Sequence, residues 1–189
     1  MTIEKCITTK QKMDLNVIGV TIPTVQDINE LPEELIYIDH MYWLQDKGYG
    51  NRFATIVDQY GRIEHNGISV DHALGYYGSY GVRPILFVED LNGLAEGDEV
   101  EVAGYRWTVI SRNRLLCNIV VEVMAFRTYK EINDDTFVDY EHVTHPIEEL
   151  NNYEFSDVKS FLEHLWAHQH GFEFSPFKNG IFENLKQVS

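Results

Sequence analysis

The chain has 189 residues, 44% of them hydrophobic and 13% aromatic, enough to bury a sizeable core as a single domain spanning 1–189. Its formal net charge of −15 repels a phosphate backbone, which argues against direct binding to DNA or RNA. No stretch approaches the roughly 18 consecutive apolar residues of a membrane span, and MTIEKCITTKQKMDL lacks the apolar run of a signal peptide, so a cytoplasmic protein is expected. Cys6 and Cys117, outside any CxxC pattern, are expected to be buried reduced thiols rather than a disulfide.

In chain order, Ile18, Val20 and Ile22 alternate with Gly19 and Thr21, which predicts a half-buried strand. Thr24, with Asp27 three residues on, predicts a helix N-cap, and Pro32 before Glu33 and Glu34 opens a second short turn of helix. Tyr42–Leu44 and Phe53–Val57 read as strands, the latter closed by the turn Asp58–Gly61. Arg62–Glu64 continues to a second turn at His65–Gly67, followed by Ile68 and Val70.

The stretch GYYGSYGVRPILF, Gly75–Phe87, then feeds an apolar strand over Pro84–Val88. Gly78 and Gly81 suit positive φ or close backbone approach, and Arg83 is expected partly buried with its planar fork on carbonyls or a carboxylate. Gly104 breaks a hairpin with strands near Val100–Ala103 and Tyr105–Ser111. Arg112–Arg114 turns the chain into one long apolar strand, Leu115–Met124. Lys130–Tyr153 reads as an acidic ordered loop with a short helix from Pro146. The clearest helix, SDVKSFLEHLWAHQHG, has Ser156 as N-cap, Gly171 as C-cap and an apolar stripe of Val158, Phe161, Leu162, Leu165 and Trp166. The tail FEFSPFKNGIFENLKQ is aromatic and is expected to pack back on the sheet.

Several residue groups bear on chemistry. His164 and His168 stand four apart on that helix, with His142, His145 or Glu163 as candidate third ligands, but the HExxH glutamate is missing. Gly75, Gly78 and Gly81 repeat every third residue and open no helix, so they form no dinucleotide cradle, and no cofactor is expected. Asp134, Asp135 and Asp139 lack the spacing of a calcium loop. Tyr76, Tyr77 and Tyr80 among glycines are a common recipe for a recognition surface, because tyrosine offers large contact area at low entropy cost.

YWLQDKG (Tyr42–Gly48), FATIVDQYGRI (Phe53–Ile63) and YGSYGVRPILF (Tyr77–Phe87) resemble a bacterial and phage domain family of unknown function. That family is marked by a Trp-Leu-Arg-Ser-Pro-Gly strand and a closing Gly-Val-Arg-Pro-Ala-Leu strand. GDEVEVAGYRWTVI, LLCNIVVE and YEFSDVKSFLEHLW resemble a second block of it, which here follows the first, so the blocks 22–90 and 94–170 look circularly permuted. The resemblance implies an α+β fold of twisted antiparallel sheets with flanking helices, similar to C-type-lectin-like domains and to the formylglycine-generating-enzyme superfamily. Cys6 and Cys117 lie in no motif resembling that enzyme's, so its oxidation chemistry is not expected. Trp43, Gly81, Arg83 and Pro84 match the family's structural pattern, with Trp107 a structural residue of the second block. Gln45-Asp46-Lys47 replaces its Arg-Ser-Pro.

The leading expectation is a non-enzymatic binding protein of phage or mobile-element type, acting on a protein partner through Tyr76, Tyr77, Tyr80, Asp134, Asp135 and Asp139. A sharper alternative is an acidic, anti-CRISPR-like inhibitor that mimics nucleic acid towards a basic host defence nuclease. A third is a metal-dependent enzyme using the histidines. An aromatic-rich surface also allows a homodimer.

Overall fold

A computed structural model describes residues 15–71, 74–75 and 78–172. Strand β1 (Val17–Thr21) has a bulge between Val17 and Gly19. It is buried on both faces rather than half-buried: Val17 and Val20 enter the main core, while Ile18 meets Ile85, Phe87 and Leu116 behind it. Helix α1 (Val25–Glu30) opens on a reciprocal capping box, with Asp27 N donating to Thr24 Oγ1 at 3.1 Å and Thr24 N to Asp27 Oδ2 at 2.7 Å. Arg114 pairs with the other oxygen of Asp27 at 2.6 Å, which ties this helix to the sheet beneath. Helix α2 (Glu33–Ile36) follows Pro32.

Strands β2 (Met41–Lys47), β3 (Phe53–Val57) and β4 (Ile63–Ser69) form a meander. Asp58 builds the β3–β4 turn, accepting from Tyr60 N and Arg62 N and pairing with the Arg62 guanidinium at 2.7 Å. The expected turn at His65–Gly67 is instead a bulge within β4. Pairing moves from Ala54↔Ile68 to Ile56↔Glu64, so β4 carries extra residues there. Gly67 permits it at φ +75°, where a Cβ would meet Ala54 O at 2.5 Å.

The remaining strands are β5 (Leu74–Gly75), β6 (Gly78–Val82), β7 (Ile85–Val88), β8 (Glu99–Val102), β9 (Tyr105–Ser111), β10 (Arg114–Cys117), β11 (Glu122–Val123), β12 (Glu131–Ile132), β13 (Thr136–Val138) and β14 (Thr144–Pro146). They complete an antiparallel five-stranded sheet, β1-β7-β10-β9-β8, and a six-stranded sheet, β11-β6-β2-β3-β4 with β5 beside β6. The α+β architecture departs from an all-antiparallel one at β2 and β6, which run parallel with Met41 opposite Tyr80. These two strands are joined by a long excursion through β3, β4 and β5 rather than by a hairpin, and such a return allows parallel pairing. Both large sheets mix strands from the 22–90 and 94–170 blocks.

After the helical link from β1 to β2, the chain passes between the large sheets at two adjacent corners. Arg83-Pro84 links β6 to β7, and residues 118–121 link β10 to β11. The long apolar strand expected over Leu115–Met124 is therefore two short strands in different sheets. Asn118 ends the first, with its N–H on Arg106 O at 2.9 Å and its side chain on Thr108 and Glu99. The corners bond each other, Cys117 N to Pro84 O and Val121 N to Val82 O, both at 2.9 Å. Gly81 serves their close approach and does not adopt positive φ, since a Cβ on it would lie 2.4 Å from a Val120 methyl.

Arg83 fills the space between the corners and is 1% exposed, more deeply buried than expected. Nε donates to Cys117 O at 2.8 Å, and Nη1 donates to Leu35 O at 2.7 Å and Tyr42 Oη at 3.2 Å. It thereby also closes the C-terminal turn of α2.

The main core lies between the sheets, with Trp43, Trp107 and Trp166 in it. Trp43 Nε1 donates to Met124 O at 2.8 Å and Trp107 Nε1 to Val102 O at 3.0 Å, so these two rings are buried with their polar atoms satisfied. The opposite faces form two smaller clusters, and Leu31, after α1, touches both.

The C-terminal helix starts at the Ser156 cap as α3 (Asp157–Ser160), widens into a π-helical stretch over Phe161–Trp166 and closes as α4 (Ala167–Gln169). Ala167 N–H donates to Leu162 O, five residues back. In this wider turn Val158, Leu162, Trp166 and Ala167 face the core, while Leu165, expected in the stripe, is 55% exposed.

Replacing Arg83 with Ala strands the carbonyls of Cys117 and Leu35 and should lower unfolding stability by about 3 kcal/mol or more. Arg83→Lys should recover only part, because a single ammonium nitrogen cannot occupy both the Nε and the Nη1 positions that reach the two carbonyls. Urea titration reads both; an unchanged midpoint for Arg83→Ala would remove the corner assignment.

Candidate functional site

The acidic stretch expected as a loop carries the small antiparallel sheet β12-β13-β14, and a 3-10 turn over Ile147–Glu149 follows Pro146. Phe137 buries its inner side against the core, so this short sheet is held by one aromatic anchor as well as by its ladders. Between β12 and β13, Asn133 Oδ1 accepts from Asp135 N and Thr136 N, both at 2.8 Å. This Asx turn displays Asp134 and Asp135 to water, with Arg52 Nη2 3.5 Å from Asp134.

The β13–β14 turn is organised by Asp139. Its Oδ1 accepts from Glu141 N and Val143 N, each at 2.9 Å, and its Oδ2 lies 2.8 Å from His145 Nε2. His145 Nδ1 lies 3.3 Å from Glu149 Oε2, and its ring stacks on Phe137 at 4.9 Å. The Val143 N–H and the His145 ring hold the Asp139 carboxyl below its ordinary value. Asp139, expected beside Asp134 and Asp135 as a binding residue, is thus a turn residue with its oxygens engaged. The spacing Asp139 to Val143 around a turn was the signal for this in the sequence.

Between that turn and the C-terminal helix lies a polar cleft of about 550 Å³. Arg127 closes one wall: its guanidinium donates to Phe155 O, lies 3.8 Å from Asp157 Oδ1 and sits 5.4 Å over the Phe137 ring. Asp157 Oδ2 accepts from both Thr128 N and Thr128 Oγ1, at 2.8 and 2.7 Å, so the helix start is pinned to the strand-side segment. On the helix, Lys159 Nζ lies 2.7 Å from Glu154 Oε2 and 3.8 Å from Glu163 Oε1. Burial pushes the Glu163 carboxyl up, with Lys159 pulling it back only in part. Tyr140 and Phe155 line the same cleft with exposed rings. Sequence reading singled out Glu163 only as a candidate metal ligand and did not join it to Arg127, Lys159, Tyr140 or Phe155, because these come from separate segments with no shared spacing.

Tyr76 and Tyr77 lie outside the described residues, as do Cys6 and the aromatic tail beyond Phe172, which itself packs 5.7 Å from Trp166. Tyr80 is 8% exposed and packs 5.0 Å from Trp43, and burial raises its phenol pKa. It is a core residue and not part of a surface. Cys117 is a free buried thiol, pushed up to about 11 by desolvation. His164 and His168 are exposed, whereas His170 packs on Trp166 and Tyr105. Among the described residues, no three His, Cys, Asp or Glu side chains converge as a metal site would require. Gln45 and Asp46 grip the chain where it enters α1. Gln45 Nε2 donates to Ile22 O at 2.6 Å, and Asp46 Oδ2 accepts from Val25 N at 2.6 Å.

No protein-family model, curated protein or solved structure matches this chain. No helix among the described residues is long and apolar enough to cross a membrane.

Because the folded Asp139 pKa lies below its unfolded value, its contribution to the turn is complete above the ordinary carboxylate range and is lost as pH falls through the lower folded value. The His145 ring resonances in NMR should shift together with the Glu141 and Val143 amides as acid neutralises Asp139. Asp139→Ala should remove that joint transition; its survival in the variant would assign the titration elsewhere.

Proposed function

We propose that this chain is a non-enzymatic binding protein of phage or mobile-element type, on a C-type-lectin-like scaffold, that holds a basic protein partner on its acidic small sheet. The observation that carries the reading is a separation of polar groups by role. Asp134, Asp135, Glu131 and Glu141 stand exposed on a sheet whose turns are fixed by Asn133 and Asp139, beside exposed Tyr140 and Val143. Carboxylates on turns already ordered lose little entropy on binding, and a net charge of −15 speeds encounter with a cationic surface. By contrast Arg83, Tyr42 and Cys117, whose proton affinities burial shifts, lie inside the core, with the Arg83 fork on main-chain carbonyls and the Tyr42 phenol. A narrower version, supported by the same charge, has the carboxylates stand in for phosphates towards a nucleic-acid enzyme.

A tagged pull-down from nuclease-treated bacterial lysate at two salt concentrations tests both versions. The expected outcome is a basic protein captured at low salt, released at high salt and absent with Asp134→Lys/Asp135→Lys, whose melting temperature stays near that of the parent. A captured nucleic-acid enzyme supports the narrower version. Undiminished capture by the charge-reversed variant would overturn the assignment of this face.

A further inference from the structure

Resting on that reading, we infer that the cleft between the β13–β14 turn and the C-terminal helix is the socket for an arginine side chain of the partner's docking segment. The cleft lies apart from the Asp134–Asp135 turn and is lined by different residues. It is a half-open cleft of about 550 Å³, roomy enough for a side chain.

Charge decides what kind of side chain fits. Five lining carboxylates, Asp139, Glu141, Glu154, Asp157 and Glu163, face two lining cations, Arg127 and Lys159. Both cations are committed: Arg127 to Phe155 O beside Asp157, and Lys159 to Glu154 beside Glu163. Asp139 and Asp157 are in turn occupied by backbone N–H groups and by Thr128. The excess acceptor capacity falls on Glu141, exposed at the tip of the turn, and on Glu163, half-buried across the cleft with its nearest cation 3.8 Å away. Burial already raises the Glu163 carboxyl, so a second cation brought beside it recovers a cost the free protein carries.

The aromatic lining selects among cations. Tyr140 is 68% exposed and Phe155 45% exposed, although both line a concave site. Rings of this kind bind the flat face of a guanidinium while its edge bonds carboxylates, a combination that an ammonium satisfies less well. The π-helical stretch belongs to the same wall, since its wide turn carries both Glu163 and His164 at the cleft. An arginine side chain therefore matches the charge and the rings together.

The test uses a short blocked peptide with one arginine between leucines, its lysine and citrulline counterparts, and backbone amide NMR of the whole chain. The expected result is a set of shifts at Thr128, Glu141, Ser160 and His164 with the arginine peptide. Affinity should fall about tenfold for citrulline and by less for lysine. Glu141→Gln/Glu163→Gln should weaken arginine binding about tenfold with its melting temperature retained, whereas Asp134→Lys/Asp135→Lys should keep these shifts. Binding that maps to residues 131–136 and spares the cleft would overturn the socket while leaving the acidic-sheet reading intact. Equal binding of the citrulline peptide, or no shifts at millimolar peptide, would overturn the socket as well, and the lysate capture would still decide the wider reading on its own.

Discussion

The fold depends on a buried guanidinium at the place where the chain changes sheets twice. One corner and the end of α2 each leave a main-chain carbonyl pointing into the buried interior, where it needs a donor. Arg83 supplies several from one rigid fork, to Cys117 O on one corner and to Leu35 O at the end of α2. Desolvation opposes its charge, yet its ordinary proton affinity is so high that the cation persists through burial. Pro84 next to it suits a corner, having no N–H to satisfy, and Gly81 lets Val120 pass at a distance no side chain would permit. These residues make a single joint that ties the two large sheets and α2 together.

From that joint the rest of the arrangement follows by packing. With β6 held at the corner, β2 pairs with it in parallel and brings Trp43 under Tyr80 and Phe126. With β11 paired to β6, the chain leaving it passes over the core and meets the C-terminal helix, where Arg127 and Thr128 receive Asp157. The small sheet is anchored through Phe137, and its turns project on the side where the carboxylates gather. The exposed carboxylates of that sheet stand outside the core in which Phe137 is anchored.

The difference between Asp134, Asp135 and Asp139 shows why a charge run is a poor guide to function. All three are aspartates in one acidic segment, yet the first two are displayed by a turn and the third builds one. Tyr80 makes the same point: beside glycines it reads as a recognition residue, and its strand position puts it in the core. Function assigned to residue types holds only after the backbone has decided which face each occupies.

The sequence by itself determined the local features whose causes lie within a few residues. The Thr24–Asp27 cap, the Asp58–Gly61 turn, the hairpin at Gly104 and the Ser156 helix start are all of this kind. Tertiary structure alone decided where the run Leu115–Met124 breaks, because both halves are apolar and only the sheet on offer tells them apart. It alone turned His65–Gly67 from a turn into a bulge, through pairing with β3, and rotated Leu165 out of the core through a π-helical register. The cleft belongs to the same class. Its residues are drawn from separate segments, and no spacing along the chain records a meeting made by the packing of a helix on a small sheet.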